Sequence, residues 1–245
     1  MDLTNMKKGV CTLKLEGLKK VYNEEGKVDP TLLKATFSIL DFNASGNKQV
    51  VTKEECLKSA FSLKNKPLLC EYKETTDYEN PNDDFGTHGE YQAKLRNGQD
   101  YIFTKTHAIG VSDDKGYLGV IKDENGNDLD VLMCDFLLWA YRYPNEVMLI
   151  NEFYEKGETL YSSCEYYYSS SDMIDGIEYV KDLYFDGHTV LGRNVAPAYN
   201  SSRLISFNEK WNKALNELNK SKNKKEDKGM SENVMFKSLC ELSVL

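Results

Sequence analysis

The chain has 245 residues, 40% of them hydrophobic and 29% charged, with 31 Lys and Arg against 39 Asp and Glu for a formal net charge of -8. That length suffices for one large domain, or one domain plus an appendage, with a sizeable core. The acidic balance excludes a general nucleic-acid binder, whose affinity would rest on Lys and Arg neutralising phosphates; one basic stretch near the C-terminus is the local exception.

The six cysteines, Cys11, Cys56, Cys70, Cys134, Cys164 and Cys240, form no C-x-x-C pair, which excludes a zinc ribbon or a thioredoxin-type redox site. Reduced thiols in a cytosolic protein are the expectation. Met1 to Lys20 lacks the apolar run of a signal peptide, and no apolar run reaches the roughly 18 residues of a membrane span. The expected location is the cytoplasm, with no membrane partner.

In chain order, Val10 to Leu15 alternates and reads as a first strand or an arm, closed by the polar turn Asn23 to Gly26. Ala35 to Leu40 predicts a strand ending in the turn-rich Asp41 to Asn47. Thr52 followed by Glu55 is a capping box for a short helix over 54–61, stopped before Pro67. Pro67 to Tyr72 predicts a strand. The loop from Lys73 to Phe85 carries five acidic residues and delivers the chain into Gly86-Thr-His-Gly89. Strands follow at 101–104, 108–111 and 117–121. Residues 128–143 are apolar: their length favours a helix, while the alternation of Leu129, Val131 and Met133 favours a strand. Pro144 starts a helix that runs to about Glu155 and stops at Gly157. A further strand over 177–185 ends at the turn Asp186-Gly187. From Ser202 the spacing of Phe207, Trp211, Leu215 and Leu218 predicts a helix, followed by a charged linker over 220–228 and an amphipathic end over 230–245.

The stretch Thr159 to Tyr168 stands out. Strand period sends Ser163, Glu165 and Tyr167 to one face and Ser162, Cys164 and Tyr166 to the other. A structural strand would usually carry Val or Ile where Ser163 and Glu165 stand, although an edge strand with one wet face also tolerates Ser-x-Glu. The tyrosines are core and interface residues, or a stacking platform. A serine nucleophile needs a base, and His88, His107 and His188 are the three histidines available. His88 lies between two glycines, where the backbone can bend to aim it. No G-x-S-x-G elbow, P-loop, H-E-x-x-H or complete EF-hand loop is present, and no cofactor or metal is implied.

Taken in order, Asn65-Lys-Pro-Leu-Leu69, Phe85-Gly-Thr-His-Gly-Glu90, Ala108-Ile-Gly-Val111, Ser163-Cys-Glu165 and Leu191-Gly-Arg-Asn-Val-Ala-Pro-Ala-Tyr199 resemble the prohead proteases of tailed phages. These are capsid-maturation serine proteases related to the herpesvirus assemblins. The resemblance spans roughly residues 33–205 and departs at Cys164, where an apolar residue such as Met is usual. It implies an α+β fold with an assemblin-like β-barrel core surrounded by helices. It also implies a catalytic Ser163, a base His88 and a third member for which Glu165 is favoured over Glu90 and His188. Arg193, with backbone amides, is the implied oxyanion donor.

The corresponding division is an N-terminal arm or first strand over 1–28, a protease-like domain over 29–205 and a helical, charged tail over 206–245. The implied function is a serine endopeptidase that cleaves scaffold and major capsid proteins, and itself, inside the assembling prohead in the host cytoplasm. A homodimer is a reasonable expectation from the same relatives, and the tail is a tether, a removable segment or an ordinary terminus. A non-enzymatic capsid or scaffold-associated protein on the same fold is the alternative.

Overall fold

The computed structural model describes residues 7–22 and 28–197. Their pattern of β-branched and aromatic residues between turns gives thirteen strands and two helices. The first stretch contains β1 (Lys7–Tyr22), β2 (Val28–Asp41), β3 (Gln49–Val50), α1 (Lys53–Ser59), β4 (Pro67–Cys70), β5 (Tyr72–Lys73) and β6 (Asp84–Phe85). Then come β7 (Tyr91–Lys94), β8 (Asp100–Phe103), β9 (His107–Ser112), β10 (Tyr117–Lys122) and β11 (Asp128–Trp139). The last are α2 (Pro144–Glu155), β12 (Tyr161–Ile174) and β13 (Ile177–Val190). The helix from Ser202, the charged linker and the amphipathic end predicted from sequence lie outside the described residues, as does the turn Asn23 to Gly26.

The main sheet follows the order β10-β11-β2-β1-β12-β13-β4-β9, with β3 alongside β13. It is mixed: β13 runs parallel to β3 and β4, and the other pairings are antiparallel. The sheet curls, so that β9 meets β11 at Phe136↔Ser112, Leu137↔Val111 and Leu138↔Gly110. The rest of that edge of β11 is taken by β10, whose far side pairs with no described strand. Two expectations are corrected here. The protein is mostly β, on a mixed sheet that is not closed along its length as a barrel would be. The two described helices are also too few to surround it.

The local signals explain most elements. Thr52 caps α1, its Oγ1 accepting from the Glu55 amide at 3.3 Å, and a 3-10 turn over Ala60–Leu63 extends it. Pro144 opens α2, where a missing amide costs nothing, and Gly157 at φ +63° stops it. Residues 128–139 form a strand, against the length-based expectation of a helix. From Val131 onward most of β11 is buried on both faces, so its apolar residues lose the alternation that would have declared it.

The core lies against the inner face of the sheet. Phe37, Ile39, Phe136, Leu138, Cys164, Tyr166 and Phe185 are all buried there, and α2 adds Val147, Ile150 and Phe153. Truncating a ring such as Phe37, packed edge-on to Phe136 at 5.4 Å, to alanine would cost about 3–5 kcal/mol. β13 runs through Asp186-Gly187 to Val190, so the expected turn is absent. The register places Glu165 opposite Gly187 and Tyr166 opposite Phe185, which leaves Asp186 as the extra residue of a β-bulge.

Candidate active site

β12 and β13 lie antiparallel with Ser163 opposite Thr189 and Glu165 opposite Gly187, so these four positions share one face. Ser163 and Glu165 are 1% and 3% exposed, and a buried carboxylate is tolerable only when its oxygens are hydrogen-bonded. Glu165 Oε1 accepts from the Thr189 hydroxyl at 2.7 Å and from His88 Nδ1 at 2.8 Å. A carboxylate beside Nδ1 fixes the proton on that nitrogen and leaves Nε2 as an acceptor. Ser163 Oγ lies 2.9 Å from that Nε2 and donates to it. The result is a continuous line from hydroxyl to imidazole to carboxylate.

His88 comes from the loop that follows β6, and backbone hydrogen bonds hold that loop. The Gly86 amide donates to Glu71 O at 2.7 Å, and the Thr87 amide donates to Glu71 Oε2 at 3.3 Å. The Gly192 amide reaches Gly86 O at 3.1 Å, and the Lys105 amide reaches Gly89 O at 3.1 Å. The two glycines have separate reasons. A Cβ at Gly86 would collide with the Glu71 carboxylate, and Gly89 sits at φ +57°, a left-handed conformation that penalises other residues. The flanking glycines that marked His88 in the sequence thus let this loop close on Glu71 and present the ring to β12.

The other candidates separate clearly. Glu90 is exposed, and the His88 Nδ1 proton goes to Glu165 instead. His188 is fully buried on the opposite face of β13. It stacks on Phe136 at 5.5 Å, packs edge-on to Phe37 at 5.1 Å, and its Nε2 lies 3.1 Å from Ser162 Oγ. Burial pushes its pKa down to about 3, with His88 lowering it further and Glu165 opposing. A neutral ring that donates from Nε2 to Ser162 and leaves Nδ1 unprotonated fits this setting, because Nδ1 has no partner among the described residues. His107 pairs elsewhere, with Glu146 Oε1 at 2.9 Å, and tilts over Tyr143.

Arg193, the implied oxyanion donor, is otherwise engaged. Its Nε donates to Glu158 at 2.6 Å, Nη2 to Glu152 at 2.9 Å and Nη1 to Asp83 O at 3.0 Å, with the guanidinium over the Phe153 ring. It clasps α2 to the chain leading into the His88 loop. That corrects its expected role.

Thr189 and Glu71 were missed in the sequence. Nothing in the local pattern marks them, since each acts through pairing with residues distant in the chain. Among the described residues no group of three or more His, Cys, Asp and Glu side chains is arranged to hold a metal ion, and no helix is long and apolar enough to cross a membrane.

The family model of the YonD N-terminal domain matches residues 31–234. The chain is 35% identical over 211 residues to the SPbeta prophage-derived uncharacterized protein YonD of Bacillus subtilis (strain 168). The match covers 83% of this chain and 43% of that protein, so the chain spans less than half the length of this relative. No solved structure matches.

Proposed function

The chain belongs to the YonD N-terminal domain family, with a prophage-derived relative, and from that footing we propose that it is a serine endopeptidase of phage capsid maturation. The observation that carries the reading is His88, joined through Nε2 to Ser163 and through Nδ1 to Glu165. In this reading Ser163 attacks a peptide carbonyl as His88 takes its proton. Glu165, itself held by Thr189, stabilises the imidazolium that forms. His88 then returns the proton to the leaving amine, and water releases the acyl group by the same steps. Backbone amides would stabilise the oxyanion.

The prohead-protease resemblance supplies the biological setting: scaffold and major capsid proteins as substrates, self-cleavage, work inside the prohead in the host cytoplasm, and a homodimer. The prophage origin of the relative supports that setting, and the return of β9 onto β11 is the feature in keeping with an assemblin-like relationship.

The second reading, a non-enzymatic capsid or scaffold-associated protein, is favoured by one observation. Ser163 is 1% exposed, and a substrate carbonyl has to reach it. Co-expression with phage scaffold and major capsid proteins separates the two. The protease reading predicts cleaved products on a gel with wild type and none with Ser163→Ala. Equal cleavage by both would remove Ser163 as nucleophile, and no cleavage by either would favour the structural role.

A further inference from the structure

β7 and β8 form a hairpin whose strands pair only with each other among the described residues, outside the main sheet. Such a ribbon is marginal alone and needs a reason to hold its shape. Here the reason is aromatic. Tyr91 stacks on its cross-strand partner Phe103 at 5.7 Å, and Tyr101 packs edge-on to Phe103 at 5.1 Å. All three lie on one face of the hairpin by strand period. Tyr101 also lies beside Tyr167, near enough for the two hydroxyls to interact electrostatically, and Tyr167 shares the Ser163 and Glu165 face of β12 by strand period. The aromatic face therefore adjoins the strand that carries the candidate nucleophile.

These rings are nevertheless uncovered: Tyr91 is 45% exposed and Tyr101 46%. Their position bears on how a substrate could approach. Ser163 and Glu165 are closed over, whereas the His88 side chain is 16% exposed. Approach is thus from the His88 side, and β7 begins three residues after His88, with the Gly89 carbonyl pinned by Lys105 just beyond β8.

Resting on the protease reading above, we propose that the β7–β8 hairpin is a substrate shelf: Tyr91, Tyr101 and Phe103 receive a bulky apolar side chain of an extended polypeptide beside the bond to be cut. The continuity of the aromatic face with the Ser163 strand, and its place on the side where His88 is open, commit it to this occupant. Large exposed rings give apolar contact at low entropic cost, and the free edges of a two-stranded ribbon suit an extended backbone.

The test is binding, kept apart from catalysis by the Ser163→Ala background. Synthetic Gly-Ser-Thr-rich peptides with one variable residue, Phe, Leu, Asp or Lys, are titrated by fluorescence anisotropy. The expected result is tenfold or greater preference for Phe and Leu over Asp and Lys, lost when Tyr91→Ala and Tyr101→Ala are added. Circular dichroism melting checks that the triple variant is folded. Tyr101→Phe, which keeps the ring, is expected to retain the preference. No preference in the parent, an unchanged preference in the triple variant, or its loss in Tyr101→Phe would overturn the proposal. Apolar preference in a protein that cleaves neither scaffold nor capsid would remove the protease reading and leave the polypeptide-binding surface standing.

Discussion

Two serine–histidine pairs lie back to back on the two faces of β12, and only one has a carboxylate on the second ring nitrogen and a ring partly open to solvent. On one face Ser163 meets His88, a loop histidine with a carboxylate on its second nitrogen and part of its ring open to solvent. On the other Ser162 meets His188, a strand histidine sandwiched among Phe136 and Phe37, fully buried, with no partner on Nδ1 among the described residues. The hydroxyl-to-imidazole distances, 2.9 and 3.1 Å, hardly differ. What differs is the surroundings. A base whose conjugate acid forms only near pH 3 accepts a proton poorly at neutral pH, and among the described residues no carboxylate is hydrogen-bonded to the His188 ring. A serine–histidine contact becomes a candidate nucleophile through the third group and through access.

The contrast can be broken by substitution, beginning with the largest effect. Ser163→Ala and His88→Ala are each expected to lower peptide cleavage at least about 10³-fold, as for members of a triad that act as a unit. Ser162→Ala is expected to leave kcat within a few-fold while lowering stability by about 1 kcal/mol in urea unfolding, the worth of one buried hydrogen bond. Reversal of that order would exchange the roles of the two faces.

Next comes Thr189, a positioning residue. Thr189→Val removes a hydrogen bond to a buried carboxylate, worth about 1.5–3 kcal/mol, and should reduce kcat about 10- to 100-fold with KM little changed; Thr189→Ser should recover most of it. Equal loss in both variants would point to packing instead.

The inner face predicts a pH effect on stability. The folded pKa of His188 is depressed to about 3, below an unfolded value near 6.5, so below that value the unfolded chain binds a proton the folded one refuses. The contribution of His188 is fully present above about pH 6.5 and declines as pH falls towards 3, by at most about tenfold in the folding equilibrium per pH unit. His188→Gln should flatten the melting temperature across that window relative to wild type. The smallest effect is expected from His107→Ala, whose pairing with Glu146 lies apart from Ser163: cleavage within about twofold of wild type.

Much of the site was legible because it is local. Strand alternation alone puts Ser163 and Glu165 on one face, and the glycines beside His88 mark a loop that can bend. The choice of third member was not legible. Glu165, Glu90 and His188 all sit at plausible chain positions, and the decision rests on how β12 and β13 pair and on where the His88 loop folds back. The bulge at Asp186 belongs to the same class. Read linearly, Asp-Gly is a turn; in the sheet, β4 and β12 flank β13 and carry the strand straight through. Thr189 and Glu71 act across 24 and 16 residues of sequence, where no periodicity points. β11 escaped for the opposite reason, since burial on both faces erases the pattern that burial on one face creates.

The claim that one face holds a nucleophile and the other a structural pair is tested most directly by covalent labelling. Wild-type protein is treated with a small fluorophosphonate, digested, and the modified peptide sequenced by mass spectrometry. The account predicts a single adduct on Ser163, lost in Ser163→Ala and in His88→Ala and retained in Ser162→Ala and His188→Gln. An adduct on Ser162, or none on a folded protein, would contradict it.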